Sequence, residues 1–326
     1  MLWASCKPTP IQSLNTALPL RLIFVFCSKV SYFSPTYRIT MVHSLPRVLT
    51  IAGSDSSGGA GIEADLKTIT VHGCYGMTCI TGLTAQNTTG VKEIFSVPHA
   101  FVEVALDADL TDIGVDAVKT GMLTSADTIR SVAKKMKEYN VSNICVDPVM
   151  ISTSGSHLLP DAAVSGYLTD LFPIATIITP NLQEAQFIYN IATGSEMPIN
   201  SLEEAKSLAK GLYNLGPKYV LLKGGHLPLS RTTYKRVPFE SANSQTIVAD
   251  IIYDGTSYEI IESPFIITKN THGTGCTLSS AIASNLAKQM SVSDAVKEAI
   301  DYVHCAIADD LQLGKGNGPI NHLHKS

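Results

Sequence analysis

The stretch RVLTIAGSDSSGGAGIEADLKTITVHGCYGMTCITGLTAQ, residues 47–86, contains a complete fold-defining unit. After Arg47, the run VLTIAG is apolar or β-branched and ends in glycine, which reads as a strand. IEADLKTITVHG repeats apolar residues at three- and four-residue steps and closes on Gly73, the pattern of an amphipathic helix. MTCITGLTAQ reads as a second strand. A strand, a helix and a strand in this order form a βαβ unit, because the helix carries the chain back to the end of the sheet where the first strand began.

The alternation continues outward from that unit. DAVKTG, NICVDPVM, TIITPN and YVLLKGG read as further strands, and TSADTIRSVAKKMKEY and SLEEAKSLAKGLYNLG as further amphipathic crossover helices. QTIVADIIYDGTSYEIIES reads as two strands joined by Asp254-Gly255, a hairpin signal. A glycine-rich segment and two final helices follow. The expectation is one α/β domain over residues 46–326, with no linker and no internal repeat. In open α/β sheets ligands bind beyond the carboxyl ends of the strands. The polar and glycine residues gather there, in GSDSSGGAG, KTGM, DPVM, TPNLQEA and LKGGH, which implies one crevice.

A formal net charge of −4 in 326 residues, with no basic run of five or more, argues against a nucleic-acid partner and for a small molecule. The seven cysteines are odd in number and lack a CxxC pair, so reduced thiols in the cytoplasm are expected. No acidic residue precedes Asp55, and the first 40 residues carry Lys7, Arg21, Lys29 and Arg38. Such a segment resembles a mitochondrial presequence, although it lacks a clear amphipathic period. Met41 begins MVHSLPRVLTIAGSD, so the preferred expectation is that residues 1–45 are a leader, disordered or the product of a mis-annotated start. LRLIFVFC is too short to span a bilayer of roughly 30 Å, and no membrane association is expected.

Several residues carry candidate chemistry. GTGC, Gly273 to Cys276, offers backbone N–H groups at the positive end of the helix that follows, either as an anion cradle or as a tight turn with a buried cysteine. GSDSSGGAGIEAD lacks the endings of a P-loop and of a dinucleotide fingerprint, so its glycines point to close backbone approach to a ligand. Asn181 and Glu184 in TPNLQE have the spacing of a capping box. With Asp147 after NICV, Glu184 could equally hold a nucleotide's Mg2+. Lys223 at a strand's end suits phosphate charge. Asp65 lies on the first helix, near an N-terminus that favours acidic residues in any case.

Taken in order, GSDSSGGAGIEADLKT, LTAQNT, KTGML, VDPVM, TPNLQEA, LLKGGH and KNTHGTGCTLSSAIA resemble the hydroxymethylpyrimidine and hydroxymethylpyrimidine-phosphate kinases of thiamine synthesis. The resemblance runs over roughly residues 46–322 and includes GKGNGPINH. It implies the ribokinase-like fold, a three-layer sandwich whose mainly parallel sheet has helices on both faces. The implied activity is phosphorylation by ATP of the pyrimidine's hydroxymethyl oxygen and then of the monophosphate. Gly273, Thr274, Gly275 and Cys276 would form the phosphate cradle, with Cys276 as a thiolate accepting the hydroxyl proton. Gly53, Ala60, Asp65, Gln86, Met122 and Val149 would form the ring pocket, with Asp65 holding the reacting hydroxyl. Asn181, Lys223 and Lys269 would lie near ATP, and Asp147 and Glu184 would act through Mg2+. ISTSGSHLL is expected as a flap over the phosphates, and the family suggests a homodimer. Pyridoxal kinases of the same superfamily are the rival within the enzymes, with Gln86 as the discriminating residue. A binding protein without catalysis would not need the intact set of GTGC, Asp147, NxxE and Lys223.

Overall fold

The computed structural model describes residues 45–150, 163–225, 227–309 and 311–324. The expected leader, but for Leu45, and the expected flap ISTSGSHLL lie outside the described residues. Within them the chain runs β1 (Arg47–Asp55), α1 (Gly61–Val71), β2 (Tyr75–Asn87), β3 (Gly90–Ser96), α2 (His99–Asp112), β4 (Ala117–Thr120), α3 (Ala126–Glu138) and β5 (Ile144–Val146). A short helical stretch α4 (Val164–Gly166) leads to β6 (Ile177–Ile178), α5 (Leu182–Thr193), α6 (Leu202–Tyr213), β7 (Tyr219–Leu222) and β8 (Leu229–Ser230). The hairpin β9 (Thr246–Tyr253) and β10 (Tyr258–Pro264) precedes α7 (Thr274–Ala287) and α8 (Val292–Ala308).

The described strands form one sheet in the order β10-β9-β7-β6-β5-β4-β1-β2-β3, with β8 on β9. From β7 through β2 the pairs are parallel, and antiparallel strands flank that block on both sides. β1 is buried on both faces, as a central parallel strand must be. Leu49 and Ile51 face a core built with α2, α3, α5 and α6, whereas Val48 faces one built with α7 and α8. The sheet is therefore the middle of three layers, as expected.

Segments that the pattern did not announce have a physical explanation. Phe101 and Val104 on α2 are each 63% exposed, so its apolar residues do not fall on one stripe and the helical period is blurred. Phe95 in the edge strand β3 is 66% exposed and breaks the alternation there in the same way. The chain's last stretch then crosses back over the loops. Lys315 and Gly316 donate backbone N–H groups to Thr88 Oγ1 at 3.2 Å, and Gly318 N–H donates to the Lys269 carbonyl at 3.1 Å. His272 N–H donates to the Gly318 carbonyl at 3.1 Å.

Candidate active site

A cavity of about 400 Å³ opens at the carboxyl ends of the central strands. Gly53, Ala60, Gln86, Met122 and Val149 line one part of it, and Asp147, Asn181, Glu184, Lys223 and residues 273–276 line another. Two helices point their first turns into this space without a side-chain cap, α1 after Ala60 and α7 after Gly273. By contrast α3, α5, α6 and α8 are capped by Ser125, Asn181, Ser201 and Ser291. The open N–H groups of α1 and α7 make the crevice attractive to anionic groups.

The ring-sized part of the cavity depends on glycines and on irregular pairing. A Cβ on Gly53 would come within 2.1 Å of Met122 Cε, so a side chain there would push the methionine's terminal methyl aside. The β1–β2 register shifts between Ala52 and Gly53, and the β2–β3 register between Ala85 and Gln86. Bulges of this kind re-aim side chains beside sites. Here they turn Gly53 and Gln86 toward the same space. Ser56 Oγ accepts the Gln86 N–H at 2.9 Å and donates to the Gln86 carbonyl at 2.9 Å, so the backbone of Gln86 is held to the glycine loop.

The phosphate-sized part is centred on α7. Gly273 has φ +82°, and a Cβ there would meet the Gly59 carbonyl oxygen at 1.8 Å. The two glycine-rich loops thus touch backbone to backbone. A Cβ on Gly275 would sit 3.3 Å from Lys223 Nζ and 3.6 Å from Asp147 Oδ2, which places the cation and the carboxylate directly beside the first turn of α7. Asp147 Oδ1 accepts from Lys223 Nζ at 2.9 Å and from Thr179 Oγ1 at 3.1 Å. Burial works against the Lys223 charge, but Asp147 and Glu184 more than offset it and raise its pKa. The Cys276 sulfur accepts a backbone hydrogen bond from Gly61, the first residue of α1, and so lies between both open helix ends.

Asn181 and Glu184 form the capping box that their spacing announces: Asn181 Oδ1 accepts from Glu184 N at 2.9 Å, and Glu184 Oε2 from Asn181 N at 2.8 Å. Burial pushes the Glu184 carboxyl up to about 7; Lys223 opposes this and the charge of Asp147 adds to it. Two carboxylates sharing a dry pocket are short of positive charge, which suits a divalent cation. Among the described residues no cluster of three or more His, Cys, Asp or Glu side chains is arranged to hold a metal. Mg2+ keeps several waters and takes one or two carboxylates together with substrate phosphates, so it does not call for such a cluster.

Three expectations need correction. Asp65 does not reach the cavity: it is fully buried, with its oxygens 2.8 and 2.9 Å from Lys119 Nζ and bonded to Thr50 Oγ1 at 2.6 Å and Ser280 Oγ at 2.7 Å. The hydroxyl-holding role falls away because every direction around the carboxylate is taken. Lys269 is exposed and outside the cavity, because its backbone is turned to meet Gly318. The Cys276 thiol is not lowered. Burial pushes it up to about 11, Lys119 opposes, and Asp65 and Asp147 add to the rise, so at neutral pH it carries its proton.

Sequence reasoning missed Lys119, which is fully buried in β4 yet stays protonated because Asp65 offsets the burial. Its signal was visible: a lysine between apolar residues of a central strand needs a buried partner. The pair ties β4 to α1, and Ser280 ties it to α7, which fixes the two open helix ends against each other. The contact of His272 Nε2 with Asp55 Oδ2 at 2.7 Å was also missed, since 217 positions separate the two residues. Asp250 lines the cavity as well, accepting from Gly224 N–H at 2.7 Å.

Residues 55–321 match the family described as phosphomethylpyrimidine kinase. The chain is 46% identical over 276 residues to the thiamine biosynthesis bifunctional protein ThiED of Geobacter sulfurreducens, covering 85% of this chain and 52% of that one. It is 40% identical over 280 residues to the hydroxymethylpyrimidine/phosphomethylpyrimidine kinase of Bacillus subtilis, covering 86% and 96%. It thus spans about half the length of several curated relatives it matches and nearly all of others. In three dimensions it is similar to the ADP complex of Bacillus subtilis pyridoxal kinase, with a TM-score of 0.72 at 35% identity, covering 86% of this chain and 98% of that one.

Proposed function

Because the chain belongs to the phosphomethylpyrimidine kinase family, we propose that it transfers a phosphoryl group from ATP to the hydroxymethyl oxygen of 4-amino-5-hydroxymethyl-2-methylpyrimidine, and then to the monophosphate, giving the diphosphate used for thiamine. The observation that carries this reading is that one cavity holds both the Gln86–Met122–Val149 ring wall and the uncapped first turn of α7. Phosphoryl transfer is governed by positioning and electrostatics, since charge spreads over the transferring oxygens and little covalent chemistry falls to the protein. The N–H groups of Gly275 and Cys276 would meet that charge at the positive end of α7, and Lys223 adds a cation beside them. ATP supplies the phosphoryl group. Mg2+, held through Asp147 and Glu184, would neutralise its phosphates.

Gln86, with both a donor and an acceptor, suits the edge of an aminopyrimidine. Met122 and Val149 give apolar walls to the ring, and Gly53 and Ala60 let it approach the backbone. Asn181 stands at the nucleotide end, bridged to Lys223 through the backbone. Cys276 begins as a thiol, so its part in moving the hydroxyl proton is secondary to the backbone cradle. The exposed Phe95, Phe101 and Val104 support a homodimer formed through β3 and α2. The free cysteines among the described residues support a reducing, cytoplasmic setting.

The test is a substrate panel. Purified protein with Mg-ATP is expected to yield the mono- and then the diphosphate of the pyrimidine, read by product mass. Brisk turnover of pyridoxal with none of the pyrimidine would replace this reading by that of a pyridoxal kinase.

A further inference from the structure

His272 is buried just ahead of the GTGC turn, and the transfer described above makes no use of its ring. Its Nε2 lies 2.7 Å from Asp55 Oδ2 and 3.3 Å from Gln86 Nε2. Asp55 acts purely as an acceptor. Its Oδ1 accepts from Ser57 N–H at 2.9 Å and Ser57 Oγ at 2.8 Å, and its Oδ2 from Gly59 N–H at 3.1 Å and Ala60 N–H at 2.8 Å. Burial alone would raise the Asp55 pKa, but the bonds from His272 and Ser57 outweigh it and bring the carboxyl to about 2. A contact this short to a carboxylate requires the proton on His272 Nε2.

That proton decides the orientation of Gln86. An amide nitrogen facing it would set donor against donor, whereas an amide oxygen accepts it as the second arm of a forked bond. The two ends of an amide have the same shape, so hydrogen bonding is what assigns them. Turned with oxygen toward His272, Gln86 presents its nitrogen to Thr84 Oγ1, 3.2 Å from the other end of the amide. Thr84 commits its own proton to the Ser54 carbonyl at 2.9 Å, which leaves Oγ1 able to accept. All partners are matched in this orientation and not in the reverse.

We propose that His272 is a positioning and specificity-determining residue, whose Nε2–H, oriented by Asp55, locks the Gln86 amide with oxygen toward His272 and nitrogen toward Thr84. The cavity then offers a ring substrate one fixed order of donor and acceptor. A ring with an amino donor beside a ring-nitrogen acceptor can match that order; a pyridine lacking the amino group cannot. The inference deepens the proposed function and rests on Gln86 facing the ring.

Three measurements test it. In His272→Leu the amide is free to turn, so KM for the pyrimidine is expected to rise about tenfold, the worth of one well-placed hydrogen bond, with KM for ATP unchanged. The preference for pyrimidine over pyridoxal, as a ratio of kcat/KM, should fall by a similar factor. His272→Gln, which returns an N–H near the Nε2 position, should recover most of the preference. In protein labelled with 15N-histidine, the His272 ring, assigned by its absence in His272→Gln, should carry a proton on Nε2 at neutral pH, whether or not the leucine variant folds. A bare Nε2, or an unchanged preference in folded His272→Leu, overturns the proposal. Wild-type protein that ignores the pyrimidine would instead sink the proposed function, and the ring protonation would still decide whether the lock exists.

Discussion

Helices α5 and α7 start at the same cavity and are built in opposite ways. At α5 the side chains of Asn181 and Glu184 consume the local donors in a reciprocal pair of bonds. At α7 the N-cap is Gly273, which has no side chain to offer; Thr274 N–H turns back to the Thr271 carbonyl at 3.4 Å, and the next N–H groups, at Gly275 and Cys276, take no side-chain cap beside Lys223. A helix start that supplies its own acceptors is a joint in the scaffold. One that withholds them leaves its donors for a ligand's negative charge. Such a difference cannot be seen in helix propensity; it lies in the residue just before each helix.

The strongest way to break the comparison is Gly273→Ala. A methyl group would collide with the Gly59 carbonyl at 1.8 Å and must adopt φ +82°, so a loss of about 3 kcal/mol in stability is expected, and turnover lower by ~10³-fold as the cradle is displaced. Thermal melting and single-turnover transfer check this, and a variant near wild type in both would show that the loops do not meet as described.

Next comes Cys276→Ala. With the thiol protonated at rest, single-turnover transfer at saturating ATP and pyrimidine should fall by roughly 10²-fold, the low end for a positioned acid or base, while ATP binding holds. Cys276→Asp should keep activity. An unaltered rate in Cys276→Ala would leave the backbone of the GTGC turn as that segment's sole contribution.

Asp55 gives a smaller effect, with a defined pH dependence. Its pKa falls from 3.8 to about 2 on folding, so it contributes about 2 kcal/mol that is fully present above pH 4 and fades as pH drops toward 2. Denaturation of Asp55→Asn should show a deficit of that order at pH 7 which closes across this window; a deficit constant in pH would mean that the charge is not what holds the loop.

The mildest change concerns the closed helix. Asn181→Ala removes the cap of α5 and should lower stability by about 1 kcal/mol. Glu184→Gln keeps a capping-box residue and should leave the melting temperature in place while raising the Mg2+ concentration needed for half-maximal rate. Should Glu184→Gln melt earlier yet need no more Mg2+, α5 would be a joint and nothing else.

Local pattern carried the reading wherever neighbours in sequence decide the outcome. The alternating strands, the hairpin at Asp254-Gly255 and the Asn181–Glu184 box all depend on contacts a few residues apart, and all appear. The strands β3 and β8 escaped, one through an exposed Phe95 and the other through its two-residue length. In the site, spacing and resemblance brought together the residues that line the cavity but misplaced Asp65 and Lys269. Both errors arise from partners far along the chain: Lys119 stands 54 positions from Asp65, and Gly318 turns the backbone at Lys269. The thiol of Cys276 was misjudged because the helix N-terminus was legible, whereas the loss of solvent around the half-buried sulfur and the nearby charges of Asp65 and Asp147 come from distant parts of the chain.

The closing stretch that crosses from Thr88 to Lys269 and His272 has a consequence for the newborn chain. Residues 315–318 hydrogen-bond to the segments that carry Gln86 and the GTGC turn, so those segments reach their final places only once residues 315–318 have been made and have folded back onto them. Contacts between residues some 228 positions apart are slow to find, since the long loop must close first. A nascent polypeptide stalled before this stretch would already contain the strands and helices described above and still lack a finished crevice. Competence would therefore wait on that closure rather than on the sheet.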